Sequence, residues 1–123
     1  ENLYHDNLNQ NITKAKEILK KIRLNKDHFI FVAITKDNQV IGLTTLLKEP
    51  KFSHNFSKLG HIGDVTVRKD FERIGIGKAL IKKAIKSGSK DCYKLVLYCS
   101  DNNMNFYEKL GFNKKDNFME LKF

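Results

Sequence analysis

The sequence predicts an α/β domain in which a sheet with both antiparallel and parallel pairs carries helices on its faces. Two observations predict it. The periodic segments run helix, strand, strand, strand, helix, strand, helix, strand, an order that mixes hairpins with crossovers. The 123 residues also hold no Pro/Gly/Ser linker, repeat or low-complexity stretch, so they form one domain over residues 1–123.

Each element has its own signature. Ile12, Ala15, Ile18, Leu19 and Ile22 recur at helical spacing with Lys on the opposite side, predicting a helix over Ile12 to Leu24. Phe29 to Ile34 is a strand by length and β-branching. Lys36-Asp37-Asn38-Gln39 is a hairpin turn, and Val40 to Leu47 returns antiparallel. Pro50 to Gly60 is polar and reads as a loop, and His61 to Arg68 is a third strand. Asp70 to Gly77 is a Gly-bearing turn feeding a helix to about Ser87, whose Gly77, Leu80, Ile81, Ala84 and Ile85 share one face and whose lysines take the other. Gly88 is placed just past its end as a C′ residue. Tyr93 to Cys99 is a fourth strand. Asn102 or Asn103 caps a short helix through Leu110, stopped by Gly111, and Phe118 to Phe123 is a final strand.

Composition narrows the function. The longest apolar run, Phe29 to Ile34, has six residues against the roughly 20 of a membrane span, so no membrane role is expected. Cys92 and Cys99 are seven apart along one expected strand, some 20 Å, which excludes a disulfide between them and points to reduced thiols in the cytoplasm. No set of four closely spaced ligands suggests zinc, and no metal is expected. The net charge of +9 comes from 20 Lys and only 3 Arg, beside 12 Asn. It is either a compositional bias toward Lys and Asn or the mark of an anionic ligand. Among anions, a phosphorylated small molecule fits better than nucleic acid, whose readers rely on Arg forks.

The most informative stretch is Gly63-Asp64-Val65-Thr66-Val67-Arg68 followed by Phe71-Glu72-Arg73-Ile74-Gly75-Ile76-Gly77-Lys78. A strand enters a turn with two Gly and then a helix, and the first-turn N–H groups of such a helix can bind phosphate. A tight turn packed on a neighbour would look the same. It is neither a Walker loop nor a dinucleotide fingerprint. The second stretch is Asn102-Asn103-Met104-Asn105-Phe106-Tyr107-Glu108-Lys109-Leu110-Gly111-Phe112. Together the two resemble the GNAT superfamily of acetyl-CoA-dependent N-acetyltransferases, with its pyrophosphate loop Arg/Gln-x-x-Gly-x-Gly/Ala and its later Asn…Phe-Tyr…Gly-Phe segment. The run from Glu49-Pro50-Lys51-Phe52 to Gly60-His61-Ile62-Gly63-Asp64-Val65, the Cys92-Tyr93-Lys94 triplet and the Met119 ending are similar to glucosamine 6-phosphate N-acetyltransferases within it. The resemblance spans roughly residues 28 to 123. The first strand such a fold opens with is not found ahead of Ile12.

The resemblance implies a GNAT fold, a mixed and mostly antiparallel central sheet flanked by helices, with acetyl-CoA as cosubstrate. Val65, Thr66 and Val67 would pair with the pantetheine arm, an N–H near Val65 polarising the thioester carbonyl. Arg73, Ile74, Gly75, Ile76, Gly77 and Lys78 would cradle the pyrophosphate. Asn103 would hydrogen-bond the pantetheine, Phe106 belongs to the same site, and Tyr107 would protonate the departing thiolate. Asp64 is the candidate for positioning the amine or taking up its proton, or it caps a break in the strand. Gly63 and Tyr98 fall on positions that face the acceptor. Lys122, on the last strand, would meet the acceptor's phosphate, reaching a partner's site in a homodimer. His28, His54 and His61 read as structural or surface residues.

Three positions depart from the pattern. Gly63 stands where the family has Glu, Tyr98 where it has Asp or Glu, and Glu72 at the first position of the pyrophosphate loop, which leaves Arg73 to substitute. The expected partners are thus a phosphosugar amine and a second copy of the chain, with no nucleic acid. The competing readings are a GNAT enzyme for another small amine or a protein amine, and a non-catalytic CoA-binding module.

Overall fold

A computed structural model describes residues 8–123. Helix α1 (Leu8–Leu24) precedes a four-stranded sheet of β1 (His28–Ile34), β2 (Val40–Pro50), β3 (Lys58–Val67) and β4 (Cys92–Val96) in spatial order β1-β2-β3-β4. The pairs β1/β2 and β2/β3 are antiparallel and β3/β4 is parallel. Helix α2 (Ile76–Gly88) is the crossover between the parallel strands, and α3 (Asp101–Lys109) follows β4. Parallel neighbours need such a crossover because no tight turn can join them.

Strand alternation decides which face α2 covers. Gly42, Thr44, Leu46 and Lys48 of β2 are buried, whereas Leu43, Thr45, Leu47 and Glu49 between them are half-open. Leu46 and Ile62 meet Ile81 and Ala84 of α2 in the core, with Tyr107 of α3 and the flanking Phe29, Phe31, Leu95 and Phe112. Two glycines make room here. A Cβ on Gly60 would lie 2.2 Å, and one on Gly88 2.5 Å, from Leu95 Cδ2, so a single leucine is wedged between β3 and the end of α2.

Lys48 is buried yet fully engaged. Its ammonium donates to Asp91 at 2.7 Å and to the Ser87 carbonyl at 3.0 Å, and lies over the Phe29 ring. Lys58 bridges Asp27 at 2.7 Å and Asp91 at 3.4 Å. The hydrogen bond from Lys48 holds the Asp91 carboxyl below the usual carboxylate range. This clasp ties β2, β3 and the entry to β4 together at the end where the strands are still paired.

Several expectations need correction. The loop expected over Pro50 to Gly60 shrinks to residues 51–57, because β2 runs on to Pro50 and β3 begins at Lys58. Residues His54, Asn55 and Phe56 all have positive φ there. Gly88 is not a left-handed C′ residue; it lies within α2, and the Leu95 side chain is the reason it is Gly. The cap of α3 is Ser100 rather than Asn102 or Asn103. Strand β4 stops at Val96, short of Cys99, since β3 has by then moved away. The final strand expected over Phe118 to Phe123 does not form: those residues join no sheet and their apolar side chains are exposed. Lys122 therefore lies on a tail outside the sheet. The residues ahead of Leu8, where a first strand of such a fold would lie, are outside the described residues. Cys92 and Cys99 are both free thiols.

Candidate active site

The site arises where β3 loses one neighbour. The parallel pairing with β4 ends at the His61/Val96 rung, while β3 continues to Val67 paired only to β2. From that rung the two strands part. The β3 edge that faced β4 keeps backbone donors and acceptors with no ladder partner, which an extended ligand can meet.

Within that stretch β3 carries a bulge. Leu43 pairs with Thr66 and Thr45 with Gly63, so Asp64 and Val65 together oppose Thr44. The extra residue is taken up at Asp64, whose φ is 50°. The fully buried Thr44 hydroxyl donates to the Gly63 carbonyl at 3.1 Å and satisfies the group the bulge would otherwise orphan. Asp64 itself is exposed.

The chain then turns into α2. The Arg68 guanidinium grips Asp70 through two hydrogen bonds of 2.8 and 2.7 Å, reaches Gln39 at 3.1 Å and lies over the Phe71 ring. That brace fixes the single 3₁₀ turn Lys69–Phe71 against the β1–β2 hairpin. After it, Arg73 (φ 66°) and Gly75 (φ 95°) are both left-handed, and Gly75 is the N-cap of α2 with no side-chain cap. A Cβ at Gly75 would find nothing within 4 Å, so the bend is open. The first-turn N–H groups of Ile76, Gly77 and Lys78 have no intrahelical acceptor. Gly77 sits 3.8 Å, measured from an added Cβ, from both Val67 and Phe106, which joins the strand edge, the helix start and α3 in one place. Glu72 is exposed and pairs with no cation among the described residues.

Tyr107 follows Phe106 on α3 and packs into the core beside it. Its ring lies edge-on to Phe106 at 4.9 Å and to Phe112 at 5.9 Å, and the residue is buried. Burial, with Cys99 nearby, raises its phenol above the usual range. No described residue hydrogen-bonds its hydroxyl, and no fully sealed side-chain oxygen lacks a partner, so that hydroxyl opens to the outside.

Val67, Gly77 and Phe106 come together; Val65 and Thr66 precede Val67 on β3, Arg73, Ile74, Gly75, Ile76 and Lys78 flank Gly77 through the bend and the start of α2, and Asn103 lies on the same short helix as Tyr107. Gly63 faces Thr45, whose hydroxyl would lie 3.2 Å from a Cβ placed there. Tyr98 is exposed and packs on Phe118 at 4.6 Å, tying the start of the tail to the wall beyond β4. Lys122, farther along the tail, makes no ion pair among the described residues and is not brought to the opening by any contact. Sequence reading missed Thr44, whose place on the buried face follows from alternation, and the pairing of His61 Nε2 with Glu49 Oε1 at 2.8 Å. Among the described residues no group of three or more metal-ligating side chains converges. No described helix is long and apolar enough to cross a membrane. A cavity of about 320 Å³ lies between β1 and α2, lined by Ile30, Val32, Ala79 and Lys83 among others and reaching Ile76 at the start of α2.

Comparison with known proteins agrees with this geometry. The acetyltransferase (GNAT) family matches residues 2–112. The chain is 40% identical over 84 residues to glucosamine 6-phosphate N-acetyltransferase of Trypanosoma brucei brucei, covering 68% of this chain but only 57% of that protein. It is 40% identical over 88 residues to the enzyme of that name from Schizosaccharomyces pombe, covering 71% of this chain and 79% of the relative. The crystal structure of glucosamine-6-phosphate N-acetyltransferase from Arabidopsis thaliana superposes with a TM-score of 0.83 at 32% identity, covering 90% of this chain and 78% of that one.

Proposed function

The chain belongs to the acetyltransferase (GNAT) family, and from that premise we propose that it transfers the acetyl group of acetyl-CoA to the amine of glucosamine 6-phosphate. The observation that carries the reading is the parting of β3 from β4 beyond His61/Val96, with an open Gly75 bend at one end and, on α3, a Tyr107 hydroxyl that bonds no described residue. These residues fit the cosubstrate. The β3 edge at Val65, Thr66 and Val67 would pair with the amides of the pantetheine arm. The free N–H groups of Ile76, Gly77 and Lys78, with Arg73 and Ile74 at the bend, would hold the diphosphate. Asn103 would hydrogen-bond the arm, and Phe106 would pack beside it.

When bound, the cosubstrate supplies a thioester carbonyl open to attack by an amine. The protein's share is positioning and proton control. A backbone N–H at the bulge, near Val65, polarises the carbonyl oxygen. Tyr107 keeps its proton at neutral pH because burial disfavours its anion, and it donates that proton to the sulfur as the thiolate leaves. Asp64, exposed on the bulge, positions the incoming ammonium. The exposed Phe118, Met119, Leu121 and Phe123 support a homodimer in which the tail of one copy lies on the other and Lys122 meets the acceptor phosphate. The proposed setting is the cytoplasm, in amino-sugar nucleotide synthesis. Gly63 and Tyr98, which bring no carboxylate to the acceptor side, favour a second reading in which a different small amine is acetylated by the same machinery.

Thiol release from acetyl-CoA separates these readings when glucosamine 6-phosphate is compared with glucosamine, polyamines and peptides. The first reading expects the phosphosugar to give the highest kcat/KM, and a higher value for a polyamine overturns it. Acetyl-CoA at about 100 times its Kd should stabilise the fold by about 2.7 kcal/mol. No change in Tm at millimolar acetyl-CoA would remove the cosubstrate assignment.

A further inference from the structure

His61 occupies the last rung at which β3 and β4 are paired, the closed end of the opening. It pairs across with Leu47, as Gly63 pairs with Thr45, so its ring stands on the same sheet face as Gly63, two residues or roughly 6.6 Å along the strand. That is the face α2 does not cover. Gly63 has no side chain, so nothing of its own stands between an amine placed over it and the imidazole. The ring is also oriented. Nε2 lies 2.8 Å from Glu49 Oε1, and a carboxylate only accepts, so Nε2 carries the hydrogen and Nδ1 presents its lone pair. No described residue hydrogen-bonds Nδ1. Neither Gly63 nor Tyr98 offers a carboxylate, and among the described residues no group pairs with the Asp64 carboxylate to orient it.

We infer that His61, held by Glu49, is the general base that takes the proton of the acceptor ammonium. The inference rests on the acetyl-transfer reading above and deepens it. The first ammonium proton passes to Nδ1, giving an imidazolium whose Nε2–H stays on the Glu49 carboxylate, and from there to water. The freed lone pair forms the C–N bond as the C–S bond breaks. The second proton, shed by the new amide nitrogen, replaces through water the one Tyr107 gives to sulfur, so one proton is released per turnover. The charged and titratable groups around the ring are Glu49 and, beyond it, Lys51 at 3.8 Å from that carboxylate, with Lys94 on β4, His28 across β2 on β1, and Asp64 at the bulge. The His61 hydrogen bond also keeps the Glu49 carboxyl below its ordinary range, and hence ionised at neutral pH.

The test compares wild type with His61→Gln, His61→Ala, Glu49→Gln and Asp64→Asn. For His61→Gln we expect kcat to fall about 10²-fold or more and the acid limb of its pH profile to disappear, while the acetyl-CoA-induced rise in Tm stays as in wild type. Added imidazole should partly restore His61→Ala. Independently of activity, the ring ¹⁵N shifts of His61 at a pH where the ring is neutral should report a single Nε2–H tautomer in wild type and a mixture of tautomers in Glu49→Gln, because the carboxylate that holds Nε2–H is gone; the same tautomer mixture in wild type overturns the positioning. Wild-type kcat and acid limb in His61→Gln, or loss of that limb in Asp64→Asn instead, overturns the inference and leaves the acetyltransferase reading intact. A wild-type chain that releases no thiol with any amine overturns both.

Discussion

Tyr107→Phe isolates the chemistry of one oxygen from the packing of the ring that carries it. The ring is buried against Phe106 and Phe112 and belongs to the core, so Tyr107→Ala would cost about 3–5 kcal/mol in lost packing and reveal little about catalysis. Phe keeps those edge-on contacts. The hydroxyl donates to no described residue, so its removal orphans nothing and the expected change in stability is within about 0.5 kcal/mol. Loss of the general acid, in contrast, should slow turnover by about 10²–10⁴-fold with acetyl-CoA affinity unchanged. Alkaline denaturation gives a second readout. The phenol titrates higher in the folded chain than in the unfolded one, owing first to burial and then to Cys99. The folded state therefore binds the proton more tightly; this stabilisation is complete below the unfolded phenol's pKa of about 10 and is lost as pH rises through the folded value. Tyr107→Phe should remove that alkaline loss. The assays are single-turnover thiol release, acetyl-CoA titration and Tm from pH 7 to 11. Unchanged turnover would refute the acid role, and a fall in Tm of many degrees at pH 7 would refute the claim that the hydroxyl is structurally idle.

Three further outcomes follow from the geometry. Gly75→Ala places a Cβ in open space, so its folding cost is the left-handed backbone alone, about 1–2 kcal/mol, and denaturant melts with acetyl-CoA titrations should find affinity falling more than stability. Gly88→Ala gains helix propensity of about 1 kcal/mol but drives its Cβ to 2.5 Å from Leu95, so a net loss of up to about 2 kcal/mol is expected in urea, and Leu95→Ala in the same chain should make the alanine neutral or favourable. Asp91→Asn takes the carboxylate from the buried Lys48 and should cost about 1.5–3 kcal/mol at pH 7. In wild type that contribution is present above the unfolded carboxyl's pKa and is lost as pH falls through the lower folded value, so the Tm values of Asp91→Asn and wild type should converge in acid.

The parts of this fold that were legible beforehand are those written in local periodicity. The lysine-backed apolar stripe of α2 and the Gly-bearing turn before it mark a helix whose start is free for an anion, and the structure places them beside the β3 edge. What was not legible depends on partners distant in sequence. Nothing around Asp64 announces a left-handed residue; the bulge exists because Thr44, 20 residues earlier, offers the hydroxyl that makes it tolerable. Gly88 looked like punctuation but is a socket for Leu95. Phe118 to Phe123 has strand-like composition, yet a strand is made by its neighbour, and none of the four described strands lies beside it. His61 read as a surface residue because a lone imidazole carries no sign of its partner, and Glu49 is brought to it only by the β2/β3 register.

The Leu95 wedge has a consequence for acyl-group tolerance. One residue beyond it stands the rung from which the strands diverge, so the thickness of that shim fixes the angle at which Leu97, Tyr98 and Cys99 swing clear of β3. A thinner or thicker side chain at that point would alter the aperture offered to a longer acyl tail, acting from the packed side between β3 and the end of α2.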